Sequence, residues 1–311
     1  MALLFFLMKR ETREEYKNLP LGNYHLCLDR LEDRWIFHSE DDYRMGMAGV
    51  ALSVLKFGVN IYAFELMPNH THIILNGTGE QCMKVFSFLK RRLSEMLLKN
   101  GRRPMPPDYG CKLIPILDDD TLRAQILYCV RNPYEKDYCG PGGHKWGSGY
   151  LYFNELAAVI RGTPASTFSK AALRKIAGSD DLLPPEWEIH PVLGILPCNY
   201  IKARAVEELF GSAKEYHTCL VKEYETAVKI ARSLDEEVEF SQKEIKEIAN
   251  TELRNSYPGR LFKTITQEEK CLVAVRLHEQ LGLSSLQLSQ ALYLSELTIT
   301  QAIRSKDYGF K

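Results

Sequence analysis

Residues 59–75, VNIYAFELMPNHTHIIL, decide which fold the first half of the chain can adopt. The segments 59–66 and 71–75 are rich in β-branched and aromatic residues and are predicted to form strands. Residues 67–69 lie between them and have the composition of a turn. The stretch therefore predicts two successive strands with a short connection.

Further helices and strands are predicted around these two strands. A capping box of Ser39 and Asp42 opens a helix that runs towards residue 57, and Gly101 ends a later one. Because strands and helices alternate with short connections, residues 1–155 are predicted to form one α+β domain. The other predicted elements are strands at 23–28 and within 108–117, and helices at 80–100 and 118–131.

The composition excludes several classes of protein. The formal net charge is zero over 311 residues, so any contact with nucleic acid depends on local basic surface. None of the eight cysteines forms a C-x-x-C pair, which argues against zinc-ribbon and thioredoxin-like proteins. The apolar segment 2–8 is too short to span a bilayer and lacks a preceding positive charge. We expect a cytoplasmic protein without a membrane partner.

Two groups of residues carry candidate chemistry. His70 and His72 are two apart on a predicted strand, so both imidazoles point to one face and can reach one metal ion. Tyr128 and Asn132 are four apart and lie on one side of a predicted helix. Each group alone also has a structural explanation: core histidines, a partly buried tyrosine ring, or a helix stop at Asn132-Pro133.

Together these groups resemble the single-tyrosine HUH transposases, and among them the REP-associated tyrosine transposase group. The motifs occur in the family's order and cover roughly residues 20–155. The sequence departs from the family at Thr71, at residues 134–136 and at two glycines in 146–150. The matching segments are NYH at 23–25, WIFH at 35–38, DDYR at 41–44, AFELMPNHTHIIL at 63–75, Tyr128, Asn132-Pro133 and WGSGY at 146–150.

The resemblance implies an α+β fold with a ferredoxin-like antiparallel sheet and packed helices. It implies that His70 and His72 bind a divalent metal ion, Mg²⁺ or Mn²⁺, with Asn132 as a third ligand or its support. Tyr128 is then the nucleophile that cleaves single-stranded or hairpin DNA. Its attack leaves a 5′-phosphotyrosine link and a free 3′-OH, so that rejoining needs no ATP.

The helix predicted at 80–100 is a candidate DNA-binding surface. Residues 81–104 hold seven basic side chains and one acidic one, and such a face suits a phosphate backbone. A solvated helix face is the alternative. The residues predicted to contact DNA in this half of the chain are Lys84, Lys90, Arg91, Arg92, Lys99 and Arg131.

The C-terminal half is predicted to be all-α, with an irregular connection at 182–197, a helix at 215–234 and a capping box of Thr266 and Glu269. Residues 156–258 are assigned as a mainly helical connecting region, and residues 259–311 resemble a helix-turn-helix DNA-binding domain whose recognition helix is capped by Ser295. A helical bundle without DNA function is the alternative. The residues predicted to face DNA are Thr298, Thr300, Gln301 and Arg304, while Ile299 and Ile303 pack inward.

Three hypotheses for function remain open at this point. The first is a transposase or nickase that uses Tyr128, and the second is a related DNA-binding regulator that does not cleave. The third is a metal-dependent nuclease in which water attacks instead of tyrosine. A homodimer, with the site formed within one subunit or shared between two, also remains open.

Overall fold

The computed structural model describes residues 13–133, 143–222, 224–234, 236 and 240–305. The chain divides into two compact units, and the boundary between them falls after residue 222. The predicted boundary after residue 155 therefore lies inside the first unit. The apolar segment 2–8 and the residues 134–136 that depart from the family pattern lie outside the described residues.

The first unit is built on a four-stranded antiparallel sheet of β1 (Gly22–Leu28), β2 (Asn60–Met67), β3 (His70–Gly77) and β4 (Cys111–Ile116). The strands lie in the order β2-β3-β1-β4. The predicted α+β class is confirmed. Both strands predicted from residues 59–75 are present; Met67, predicted to lie in the turn, ends the first of them, and Pro68 and Asn69 form the turn that joins them. The helices are α1 (Arg13–Lys17), α2 (Glu40–Phe57), α3 (Gly79–Lys99) and α4 (Asp119–Arg131).

Local capping explains where the two long helices begin and end. Ser39 and Asp42 form the predicted capping box of α2, and Gly58 closes that helix in the left-handed conformation at φ 65°. Thr78 caps α3 through the backbone N–H of Gln81, and Gly101 follows that helix at φ 68°. These local signals fix both ends of each helix before tertiary packing is considered.

The two faces of the sheet have different chemistry. Residues alternate between faces along a strand, and cross-strand partners share a face. Leu66 pairs with Thr71 and points towards α2, where its side chain packs against Gly46. His72 pairs with Cys27 and Glu65 and points the opposite way, towards α4. One face is therefore an apolar core under α2 and α3, and the other carries polar groups under α4.

Residues 143–222 pack into the first unit. Trp187, Ile195 and Tyr200 belong to the same hydrophobic core as the sheet, which is why the packing does not break at residue 155. The predicted irregular stretch 182–197 holds two strands of a three-stranded sheet, so the prediction that the region after residue 155 is all-α is wrong for residues 163–195. The elements are β5 (Thr163–Pro164), α5 (Lys170–Ala177), β6 (Glu188–His190), β7 (Gly194–Ile195), α6 (Ala203–Phe210) and α7 (Ala213–Lys222).

The second unit is helical and has its own core. The segment 215–234, predicted to be helical, is helical at 215–222 in the first unit and at 224–233 in the second, and residue 223 lies outside the described residues. Thr266 and Glu269 form the predicted capping box of α10. No helix in the described ranges is long and apolar enough to cross a membrane. The helices are α8 (Tyr224–Ser233), α9 (Gln242–Ser256), α10 (Gln267–Leu281), α11 (Ser285–Leu292) and α12 (Glu296–Arg304).

We expect Gly46→Ala to destabilise the first unit. A Cβ at this position would lie 2.7 Å from the Phe37 ring and 2.9 Å from Leu66, both buried. Overpacking of this kind costs about 1–3 kcal/mol, which exceeds the helix propensity of roughly 1 kcal/mol that alanine gains over glycine. Urea unfolding followed by tryptophan fluorescence measures this unit alone, because Trp35, Trp146 and Trp187 all lie in it. An increase in the unfolding midpoint would contradict the packing described here.

Candidate functional site: a buried histidine and tyrosine cluster

Strand register places five polar or thiol side chains on the sheet face that α4 covers. His72 is central, because it pairs with Cys27 of β1 on one side and Glu65 of β2 on the other. His70 and His25 lie on the same face by alternation along β3 and β1. All five side chains are buried. Polar groups buried in this way require partners, and α4 supplies several of them.

Helix α4 presents three functional side chains to this layer. Gln125, Tyr128 and Asn132 are three or four residues apart, so they lie along one helix face. The predicted pairing of Tyr128 with Asn132 on one side of the helix is therefore present. Tyr128 is only 3% exposed, and Asn132 is buried at the helix end. The side chains face the sheet and not the solvent.

The ring of His72 and three other rings form a tight cluster. Its ring centroid lies 4.8 Å from that of His70, 5.1 Å from that of His25 and 5.6 Å from that of Tyr128. The His25 and Tyr128 centroids are 6.1 Å apart. The structure thus brings together the predicted residues His70, His72, Tyr128 and Asn132, and it adds His25.

The turn before β3 sets the protonation pattern of His70. Asn69 donates through its amide nitrogen to the Leu31 carbonyl at 3.1 Å, which turns its Oδ1 towards His70. This oxygen lies 2.8 Å from Nδ1 of His70 and can only accept a hydrogen bond. His70 therefore carries its proton on Nδ1, and Nε2 keeps the lone pair that a metal ion requires.

His72 is held neutral by its surroundings. Burial lowers its pKa to about 3, and the positive charge of Arg30 acts in the same direction. A neutral imidazole is the form that binds metal ions at neutral pH. Nε2 of His72 lies 3.3 Å from the amide nitrogen of Asn132, so this amide must rotate to present its oxygen to a shared ion. With that rotation, the side chains of His70, His72 and Asn132 would offer two imidazole nitrogens and one amide oxygen, a donor set that suits a divalent ion.

Cys27 is a further donor beside His72. Its Sγ lies within 4.8 Å of a ring nitrogen of His72. A thiolate prefers softer ions than Mg²⁺, so participation of Cys27 favours a first-row transition metal over magnesium.

The buried Glu65 and the half-buried His144 form a hydrogen-bonded pair at the edge of the layer. Glu65 is bonded to Nδ1 of His144, and burial raises the pKa of its carboxyl to about 7, although His144 opposes the rise. A Cβ on Gly147 would lie 2.1 Å from this carboxylate, so the segment that pairs with β2 requires glycine here. Gly147 is one of the two glycines at which the sequence departs from the family motif.

Three of the residues predicted to bind DNA donate hydrogen bonds to backbone carbonyls within the protein. Arg92 is buried and donates to the carbonyls of Ala177 and Gly178 at the end of α5. Lys90 donates to the carbonyls of Pro107 and Tyr109. Arg131 is buried and donates to the Leu220 carbonyl.

The remaining basic residues of α3 are exposed but do not face the cluster. Lys84 pairs with Glu80, Arg91 lies 4.0 Å from Glu95, and Lys99 is exposed. Helix α3 packs with α2, on the opposite sheet face from the histidines. The predicted basic face therefore does not lead to the site. Arg30 was not predicted as a site residue, but it is a basic residue close enough to His72 to lower its pKa.

In the second unit, α11 and α12 flank a short connection at 293–295, in the segment whose sequence resembles a helix-turn-helix. Ser295 caps α12 as predicted, and Tyr293 occupies the left-handed turn position at φ 57°, where glycine is usual. Ile299 is buried and Ile303 packs against the same core. Of the four residues predicted to face DNA, Gln301 and Arg304 are exposed, and Thr298 and Thr300 are half-buried.

The chain has no match among family models, curated proteins or solved structures. His25, Cys27, Glu65 and Gln125 were missed as site residues because only strand register and helix packing bring them to His72. Alternation along the strand beginning at residue 23 is the signal that places His25 and Cys27 on one face.

We expect Glu65→Gln to change how stability depends on pH. The raised pKa means that the folded protein keeps a proton that the unfolded chain releases above pH 4.5. This contribution is complete below that pH and is lost as the pH rises through about 7.

Glutamine mimics the protonated carboxyl at every pH. Between about pH 5 and pH 8, the free energy of unfolding of the variant therefore rises by roughly 3 kcal/mol relative to that of the wild type. Urea unfolding followed by tryptophan fluorescence measures the difference. The pKa of His72 is lowered and not raised, so its effect on the pH dependence of stability is opposite in sign. This effect cancels because both proteins contain His72. A stability difference that does not vary with pH contradicts the assignment.

Proposed function

We propose that this protein nicks and rejoins single-stranded or hairpin DNA through a 5′-phosphotyrosine link at Tyr128, as expected for a single-tyrosine HUH transposase. The observation that supports this most is the packing of Tyr128 and Asn132 of α4 against His72 of β3, beside His70. These side chains come from two separate elements. The element order β-α-β-β-α-β and the strand order β2-β3-β1-β4 also suit the ferredoxin-like sheet of that class.

The residues of the cluster divide the chemistry between them. His70, His72 and Asn132 would hold a divalent ion, Mg²⁺ or Mn²⁺, and when bound this ion polarises the scissile phosphate. Tyr128 supplies the hydroxyl that forms the new bond to phosphorus. The bond from phosphorus to the 3′ oxygen breaks, the phenol loses its proton, and the departing oxygen gains one. The reverse reaction reseals the strand.

Burial of the cluster shapes how the reaction can proceed. Tyr128 and His72 are both closed off from solvent in this structure. A DNA phosphate therefore reaches them only after the groups that cover the layer move apart. Exclusion of water would then protect the phosphotyrosine link from hydrolysis, which favours rejoining over simple strand scission.

Tyr128→Phe should abolish the covalent adduct, because phenylalanine keeps the ring but lacks the nucleophilic oxygen. The assay incubates the full chain with labelled single-stranded or hairpin DNA and Mn²⁺, followed by denaturing electrophoresis. Tyr62→Phe is the matched control, since Tyr62 is half-buried on the neighbouring strand β2 and lies outside the cluster. Cleavage that survives in Tyr128→Phe points to water as the nucleophile and contradicts the proposal.

Arg30→Gln should weaken binding of single-stranded DNA more than Lys84→Gln does. Arg30 is close enough to His72 to affect its pKa, whereas Lys84 lies on the helix that covers the opposite face. Loss of one phosphate contact reduces the slope of log affinity against log salt by about 1. Fluorescence anisotropy at several salt concentrations measures this slope. Equal effects of the two variants would contradict the placement of DNA at the cluster.

A DNA-binding regulator that does not cleave is the second candidate. The burial of Tyr128 favours it, as does the capped helix α12 with its exposed Gln301 and Arg304. In that case the wild type binds a specific duplex without forming an adduct. Gln301→Ala would then reduce sequence preference, and Tyr128→Phe would leave binding unchanged.

A further inference from the structure

The proposed reaction does not use two buried side chains, His25 and Gln125, that are linked to His72 by hydrogen bonds. Nδ1 of His25 is 2.6 Å from Oε1 of Gln125, and Nε2 of His25 is 3.0 Å from Nδ1 of His72. All three side chains are buried. They connect α4, β1 and β3 through one chain of hydrogen bonds.

The direction of these hydrogen bonds follows from the chemistry of the end group. The amide oxygen of Gln125 can only accept, so Nδ1 of His25 carries a proton and donates. The other nitrogen of a neutral His25 then has a lone pair and accepts from Nδ1–H of His72. Nε2 of His72 is left without a proton, and it is the nitrogen that faces Asn132.

We infer that Gln125 and His25 are positioning residues that fix the tautomer of His72 so that Nε2 is available to a metal ion. This inference rests on the proposed function, because it explains how one ligand of that site is prepared. The two predicted histidine ligands are then prepared in parallel ways. Asn69 holds the proton of His70 on Nδ1, and the Gln125–His25 pair holds the proton of His72 on Nδ1.

Partners that orient a metal-binding imidazole are worth roughly 10–100-fold in metal affinity. Gln125→Leu removes the accepting oxygen at similar volume. His25 can then carry its proton on either nitrogen, and His72 is no longer held in one form. We therefore expect Gln125→Leu to reduce affinity for Mn²⁺ by at least about tenfold.

The first test uses the metal-free wild-type protein. Long-range ¹H–¹⁵N correlation of ¹⁵N-histidine-labelled protein reports which ring nitrogen carries the proton, with peaks assigned through His25→Phe and His72→Phe. The inference expects Nδ1–H for both His25 and His72. A proton on Nε2 of either residue overturns it, whether or not the protein binds metal or cleaves DNA.

The second test is a double-mutant cycle on Mn²⁺ affinity, measured by electron paramagnetic resonance of the free ion. Gln125→Leu should weaken binding in the wild type and have no further effect in His25→Phe, because Gln125 acts only through His25. Equal losses in both backgrounds overturn the inference. If the wild-type protein fails to bind Mn²⁺, the proposed metal site is overturned. The ring-nitrogen protonation measured in the first test then still decides whether Gln125 and His25 fix the tautomer of His72.

Discussion

The hydrogen bonds of His72 organise the buried polar layer between the sheet and α4. A neutral imidazole in this position has two ring nitrogens to satisfy, and an unsatisfied buried polar group costs about 1–3 kcal/mol. His25 takes one nitrogen and Asn132 takes the other. Through Gln125 and Asn132 these hydrogen bonds tie α4 to the sheet and help to place Tyr128 beside the histidines.

The same layer links stability to chemistry. Burial keeps His72 neutral and raises the pKa of Glu65 to about 7, so the face under α4 contains groups whose charge states are set by the fold. Perturbed groups of this kind cluster at functional sites, although structural networks also produce them. Here the perturbed groups lie beside a tyrosine and two predicted metal ligands. In the proposed reaction these perturbed groups belong to the site.

Much of the first unit could be predicted from local sequence signals. Ser39 with Asp42, Gly58 and Gly101 act within a few residues of their own positions, so the helix ends followed from the sequence. The pair of strands around residues 67–69 followed for the same reason. The packing of residues 156–222 onto the sheet could not be predicted, because it depends on core contacts of Trp187 and Tyr200 with distant segments.

The candidate site shows the same division. His70, His72, Tyr128 and Asn132 were found because each pair lies within one element, where spacing fixes the geometry. His25 and Gln125 are 100 residues apart, and only the folded sheet brings them together. Charge counting along α3 does not reveal which sheet face the helix covers, nor that Arg92 donates hydrogen bonds to the end of α5.

The central claim is that this layer holds a divalent ion through Nε2 of His70 and Nε2 of His72. Pulsed electron paramagnetic resonance of Mn²⁺ bound to the wild-type protein tests it directly, because nitrogen nuclei bonded to the ion give resolved couplings. The account predicts couplings to two imidazole nitrogens, with one lost in His70→Ala. Bound Mn²⁺ without nitrogen couplings would contradict it, because the ion would then lie away from both histidines.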